Sequence, residues 1–259
     1  MPKTRVRAIA AGFAGAIALS TVTLLQPSAS ADVQPMIIGG HDATEDYSFM
    51  ASLQRNGRHN CGASLIAPEW VVTAAHCVPS DGSVTGLKLR IGSKTVDGGG
   101  ELVDAAKVSI HPDYGSGKPG GDLAVVKLAK AVQAKPIAIA SETGPAGTPT
   151  RILGWGTTKD GDQVPPKTLQ ELDTKKVEDD NCVNFAPGNE ICTDSDTENA
   201  MGCFGDSDGP QLKGKAGAWE LVGATSRDGD SDPKCSTGTG IWTDVPSYVA
   251  WVKEQTGIK

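Results

Sequence analysis

The chain has 259 residues, with 24 Lys and Arg against 31 Asp and Glu and a formal net charge of -7. The acidic balance argues against nucleic acid as a partner. The length suffices for a large core, in one domain or two closely joined halves.

Lys3, Arg5 and Arg7 precede an apolar stretch from Ala8 to Leu25, and Ala29-Ser30-Ala31 follows as a small-residue cleavage pattern. Residues 1–31 therefore read as a secretory signal, not a membrane anchor, because Ala, Gly, Ser and Thr keep the stretch weakly apolar. No later apolar run could span a bilayer, so the mature protein is expected to be extracellular and free of the membrane. Removing residues 1–36 takes away Lys3, Arg5, Arg7 and Asp32, which moves the net charge from -7 to -9. All six cysteines lie in the exported part. In an oxidising compartment an even count predicts three disulfides in place of metal ligands, with the pairing left open.

Beyond Ile37, short runs such as Ser64–Ile66, Trp70–Val72, Leu87–Ile91, Leu123–Leu128 and Trp219–Val222 alternate with Gly, Pro, Asp and Ser clusters. This spacing predicts an all-β barrel or sandwich. Ser141–Pro149 is the candidate connector between halves. Tyr248, Val249, Trp251 and Val252 carry helical periodicity after Pro246-Ser247, with Ser247 the expected N-cap.

Gly205-Asp206-Ser207-Asp208-Gly209 matches the G-x-S-x-G turn of α/β-hydrolases, but in that fold the histidine follows the serine. Here His41, His59, His76 and His111 all precede Ser207. Any imidazole base for Ser207 must come from upstream. His76 follows the β-rich Trp70-Val71-Val72-Thr73-Ala74-Ala75 and precedes Cys77, and Asp122 opens the apolar Leu123–Val126. A serine hydroxyl is a poor nucleophile at neutral pH; an imidazole takes its proton, and a buried carboxylate fixes the tautomer and stabilises the imidazolium.

These pieces, with Ile37-Ile38-Gly39-Gly40, Cys61–Ile66, Gly154-Trp155-Gly156 and Trp242-Thr243-Asp244-Val245, resemble the chymotrypsin/trypsin family of secreted serine endopeptidases over nearly all of Ile37–Lys259. A bacterial, actinomycete-like form is expected. The resemblance implies two antiparallel six-stranded β-barrels of the chymotrypsin type, 37–140 and 141–245, with a C-terminal α-helix in 246–259. It assigns His76 as general base and acid, Asp122 as its orienting partner, Ser207 as nucleophile, and the N–H groups of Gly205 and Ser207 as the oxyanion hole. It pairs Cys61 with Cys77, Cys182 with Cys192 and Cys203 with Cys235. Each such bridge is expected to stabilise by about 3 kcal/mol. Residues 32–36 become a short propeptide, after whose removal the Ile37 amino group pairs with Asp206.

The resemblance also implies peptide or protein substrates, an activating protease, proteinaceous inhibitors, a monomeric state, no cofactor and no metal. The pocket, from Met201, Gly202, Ser226, Arg227, Asp228 and Gly240, departs from the trypsin pattern. Met201 stands where trypsin has an acid, so Arg/Lys specificity is not expected, and Arg227-Asp228 replaces Trp-Gly. On a plainer reading Met201 is ordinary core and Arg227 and Asp228 a solvated loop. Asp208 replaces a family glycine beside the nucleophile. These departures support a rival reading, a protease-fold binding protein with impaired catalysis. Asp228–Asp232 begins like a calcium loop, but Pro233 stands where that motif needs glycine and no bidentate Glu follows at the required spacing. With Asp194–Glu198 it reads as a solvated acidic rim favouring cationic substrates.

Overall fold

The structure is a computed structural model that describes residues 1, 37–118, 120–157, 166–202, 209–232, 234 and 236–259. Apart from Met1, the expected signal peptide and propeptide lie outside these residues. The fold below belongs to the unit Val33–Lys259.

A short strand β1 (His41–Asp42) precedes β2 (Met50–Arg55), β3 (Arg58–Ala67), β4 (Trp70–Thr73), β5 (Leu87–Ile91), β6 (Glu101–Ile110) and β7 (Ala124–Leu128). The last six close into an antiparallel barrel in the order β2-β3-β4-β7-β6-β5. Local sequence dictates much of this. β5 buries Leu87, Leu89 and Ile91 and leaves Lys88 and Arg90 partly exposed, the period-two pattern of a strand with one face on a core. Asn56 and Gly57 take positive φ values of 52° and 77° between β2 and β3, as a two-residue hairpin turn requires.

A two-residue strand β8 (Ala138–Ile139) is followed by β9 (Pro149–Gly154), β10 (Gln170–Lys176), β11 (Glu190–Asp194), β12 (Pro210–Lys215), β13 (Ala218–Asp228) and β14 (Gly240–Asp244). The order β10-β11-β14-β13-β12-β9, with β9 pairing back to β10, closes a second six-stranded antiparallel barrel. β1 extends it beside β10, and β8 runs parallel to β13. The expected pair of six-stranded barrels is therefore present, with one C-terminal helix α1 (Val249–Thr256). Among the described residues no helix is long and apolar enough to cross a membrane.

The helix start differs from expectation. A 3-10 turn spans Val245–Tyr248, and the Ser247 hydroxyl donates to the Asp244 carbonyl at 2.7 Å instead of capping the helix. Pro246 favours this tight turn, and the α-helix begins only at Val249.

The main buried cluster joins first-barrel residues such as Leu53, Leu65 and Val125 to Leu153, Leu212 and Leu221 of the second. A polar clamp reinforces this. Glu171 on β10 has a side chain only 1% exposed. It accepts hydrogen bonds from Tyr47 (2.6 Å), Thr44 Oγ1 (2.8 Å) and Arg151 Nη1 (2.9 Å). Arg151 Nε also donates to Asp173 at 2.7 Å, and its guanidinium lies over the Trp219 ring. Burial and the bond to Glu171 push the Tyr47 phenol well above its ordinary pKa. The segment before β2 is thus pinned to the second barrel.

Removing the cation strands a buried carboxylate. Arg151→Met is expected to lower unfolding free energy by about 3–5 kcal/mol, and Glu171→Gln in the same chain to restore part of it. Denaturant titration measures both; an unchanged midpoint for Arg151→Met would contradict the clamp.

Candidate active site

His76 sits in a 3-10 turn, Ala75–Cys77, directly after β4. The Cys61–Cys77 disulfide ties this turn to β3. From that position the His76 backbone N–H donates to Asp122 Oδ1 at 3.0 Å, and the ring Nδ1 lies 2.8 Å from Asp122 Oδ2. A carboxylate only accepts, so Nδ1 carries the proton in this bond, and the neutral ring has its lone pair on Nε2. The His76 side chain is 30% exposed and that of Asp122 11%, an accessible base on a buried acid.

Asp122 lies two residues before β7, and its placement depends on backbone geometry that ordinary residues resist. Gly120 and Gly121 have φ values of 85° and 78°. A Cβ on Gly121 would come within 2.8 Å of Asp113 Cβ and 2.9 Å of Tyr114 N. No larger residue fits without displacing that chain. The Gly121 N–H donates to the Tyr248 hydroxyl at 2.9 Å, and the Tyr248 ring packs edge-on against His111.

The second barrel completes the site. Ser226 Oγ donates to Asp122 Oδ2 at 2.7 Å, and Thr243 Oγ1 to the Asp122 carbonyl at 2.9 Å. Ser226 falls at a register shift between Thr225 and Arg227, where β13 has an extra residue relative to β14. Such a bulge re-aims a side chain out of the regular ladder. Burial alone would raise the Asp122 pKa. The bond from the His76 ring, the charge of His76, the Ser226 hydroxyl and the His76 N–H together outweigh it and hold the carboxyl below its ordinary value.

Met201 is buried, at 3% exposure, among Ile37, Ile191 and Trp242. Its sulfur lies 3.6 Å from where a Cβ on Gly240 would sit, so these two pocket candidates adjoin. Met201 is thus part of a buried cluster beside Gly240. Gly202 is partly buried and Asp228 exposed. The reading of Arg227 as a solvated loop residue does not hold. Its guanidinium makes two bonds to the buried Glu190, at 2.6 and 2.8 Å, and one to the Asn184 carbonyl at 2.8 Å. Ile37 is fully buried, and Ile38 forms a β-bridge with Met201. Cys182 is bonded to Cys192. Cys203, Gly205, Asp206, Ser207, Asp208 and Cys235 lie outside the described residues.

Glu190, Thr243 and Tyr248 were not anticipated here. Thr243 lay in a matched motif and Tyr248 in the helical pattern, but nothing in the sequence signals the bond of Thr243 to Asp122 or of Tyr248 to Gly121. The Asp228–Asp232 loop spends its carboxylates locally: Asp228, Asp230 and Asp232 accept from the backbone N–H groups of Asp230, Asp232 and Lys234. Cys61, His76 and Cys77 cluster closely, but the disulfide occupies both sulfurs.

A two-barrel fold holding an accessible histidine on a buried aspartate at the barrel junction defines the chymotrypsin-like class. The trypsin family profile matches residues 37–252. Hypodermin-B of Hypoderma lineatum is 33% identical over 229 residues, covering 84% of this chain and 86% of the relative. Trypsin of Sarcophaga bullata is 34% identical over 237 residues, covering 86% and 90%. Human granzyme M is 33% identical over 238 residues, covering 85% and 89%. The solved structure of neuropsin, a serine protease expressed in the limbic system of mouse brain, superposes with a TM-score of 0.74 at 26% identity, covering 85% of this chain and 99% of that one. The chain belongs to the trypsin family of serine endopeptidases.

The depressed Asp122 pKa makes folding stability depend on pH. A carboxyl with a folded pKa below its unfolded value, about 3.9, contributes stability above that value and loses it as pH falls through the folded pKa. The stability difference between wild type and Asp122→Asn should therefore shrink on acidification below the ordinary carboxylate range. Denaturant titrations across acidic pH measure it; a constant difference would contradict the charged, hydrogen-bonded Asp122.

Proposed function

We propose that the protein is a secreted endopeptidase that cleaves through an acyl-enzyme on Ser207, with His76 as general base and acid and Asp122 as its orienting group. The hydrogen-bond chain Ser226–Asp122–His76 carries this reading, because it leaves the acceptor nitrogen Nε2 on the ring. Nε2 takes the Ser207 hydroxyl proton as Oγ adds to the scissile carbonyl carbon. The anionic oxygen of the tetrahedral adduct accepts from the N–H groups of Gly205 and Ser207, each such donor being worth about 2.7–4 kcal/mol. The imidazolium returns the proton to the leaving amine as the C–N bond breaks. Water, deprotonated by the same nitrogen, then hydrolyses the ester. Asp122 stays ionised and stabilises the imidazolium.

Asp208 bears on rate. A carboxylate about 6 Å from the oxyanion would oppose it by about 3 kcal/mol at an effective dielectric near 20, the same charge would favour the imidazolium, and rotation of the side chain into water would weaken both effects. The His76–Asp122 pair favours the enzyme over a binding protein. Processing before Ile37, with pairing of the new terminus to Asp206, fits the buried seat of Ile37 and its φ of 50°, which a β-branched residue resists. Export through residues 1–31 fits the two disulfides. The actinomycete-like form draws no support from the animal relatives above.

Substrate preference follows from the pocket floor. The Trp242 ring atoms Cζ3 and Cη2 lie 2.5 and 2.8 Å from where a Cβ on Gly240 would sit, and Met201 seals the same corner. With Met201 in place of an acid and an indole filling that depth, the pocket suits small or medium uncharged side chains just before the cut.

Two experiments test this function. A fluorophosphonate probe is expected to label the Ile37-processed protein stoichiometrically, and Ser207→Ala not at all; labelling that survives Ser207→Ala would overturn the nucleophile. In a peptide library, Ala, Val or Leu before the cut should exceed Phe and Arg by tenfold or more in kcat/KM. A preference for Arg or Lys would refute the floor assignment.

A further inference from the structure

We infer that Glu190 and Arg227 form a positioning pair that holds Ser226, and through it the Asp122 carboxylate, in register with His76. This rests on the role proposed above for Asp122. The segment that carries Ser226 is the least supported part of β13. Its ladder with β12 ends at Pro210 opposite Ala224, the Thr225 N–H reaches Gly209, and a register shift follows at once against β14. From Ser226 onward, among the described strands, only β14 pairs with it. The bulge aims the Ser226 hydroxyl out of the ladder, with ladder bonds on one side only to hold it there.

Arg227, the next residue, adds a second hold. Both terminal nitrogens meet the two oxygens of Glu190, and Nη2 also donates to the Asn184 carbonyl. A bidentate guanidinium–carboxylate pair fixes a plane as well as a distance, which a single hydrogen bond or an ammonium does not. The anchor is firm because the Glu190 side chain is fully buried and receives a third bond, from the Ala186 N–H at 2.8 Å. Glu190 also faces Thr243 across the β11–β14 ladder, and Thr243 donates to the Asp122 carbonyl. Asp122 is thus gripped twice from the neighbourhood of Glu190: at its carboxylate through Arg227 and Ser226, and at its backbone through Thr243.

With its guanidinium spent on Glu190, Arg227 acts on turnover through Asp122 and not as a free cation for substrate. The pair therefore makes a distinctive demand on kinetics. In protein beginning at Ile37, Arg227→Met is expected to lower kcat by tenfold or more with KM within about twofold. It should also broaden or shift the downfield proton resonance of the His76 Nδ1–H bond. Arg227→Lys keeps the charge and loses the fork, so its kcat should fall between the two. Glu190→Gln with Arg227→Met removes the stranded buried charge, restores thermal stability, and should leave kcat low. Full recovery of kcat in that double variant would overturn the proposal, because the defect would then be charge imbalance and not position. A loss confined to KM would overturn it in favour of substrate contact, and wild-type kcat and resonance in folded Arg227→Met would overturn it outright. Asp122→Asn is the control for the underlying reading: undiminished turnover there removes the role of Asp122 itself, whatever Arg227 does.

Discussion

The Asp122 carboxylate is the constraint around which the rest of the structure is arranged. A buried anion is tolerable only when its oxygens are satisfied, and three donors from two barrels do this: the His76 main chain, the His76 ring and the Ser226 hydroxyl. Two of them belong to the group that Asp122 orients. Desolvation and orientation are therefore one problem with one solution, since the bonds that make burial possible also fix the imidazole.

This explains why so much of the molecule converges on a short stretch of chain. The Gly120-Gly121 corner, the Tyr248 hydroxyl and the packing of His111 against Tyr248 and Trp251 all act on the backbone just before Asp122. The C-terminal helix, far along the sequence, thereby supports a corner of the first barrel. The Cys61–Cys77 bond does the same for the turn that carries His76. Rigidity is concentrated where an orientation error would cost most.

How much was legible in the sequence follows from the range of each signal. Short β-rich runs such as Leu87–Ile91 are local signals and reached only as far as a barrel or sandwich, whereas the pair of six-stranded barrels and the His76–Asp122 contact were legible through motifs that resemble those of a known family. The fate of Arg227 was not legible, because its partner Glu190 lies 37 positions earlier in the chain and comes near only through the β11–β14–β13 order. Ser247 failed for the opposite reason. A capping residue after a proline is a sound local signal, but the hydroxyl donates to the Asp244 carbonyl and the helix starts with no side-chain cap. Tertiary placement decides where a polar side chain has more than one partner in reach.

Ile37, Met201 and Trp242 share one buried cluster, with Ile38 bridged to Met201 and Gly39 pressed against Ala200. The seat of the amino-terminal segment and the proposed floor of the pocket are thus the same piece of interior. Such residues do not vary independently. A side chain that deepens the floor also loosens the seat, and one that fills the seat raises the floor. Substitutions at Met201 or Trp242 are therefore coupled in energy to the packing of Ile37.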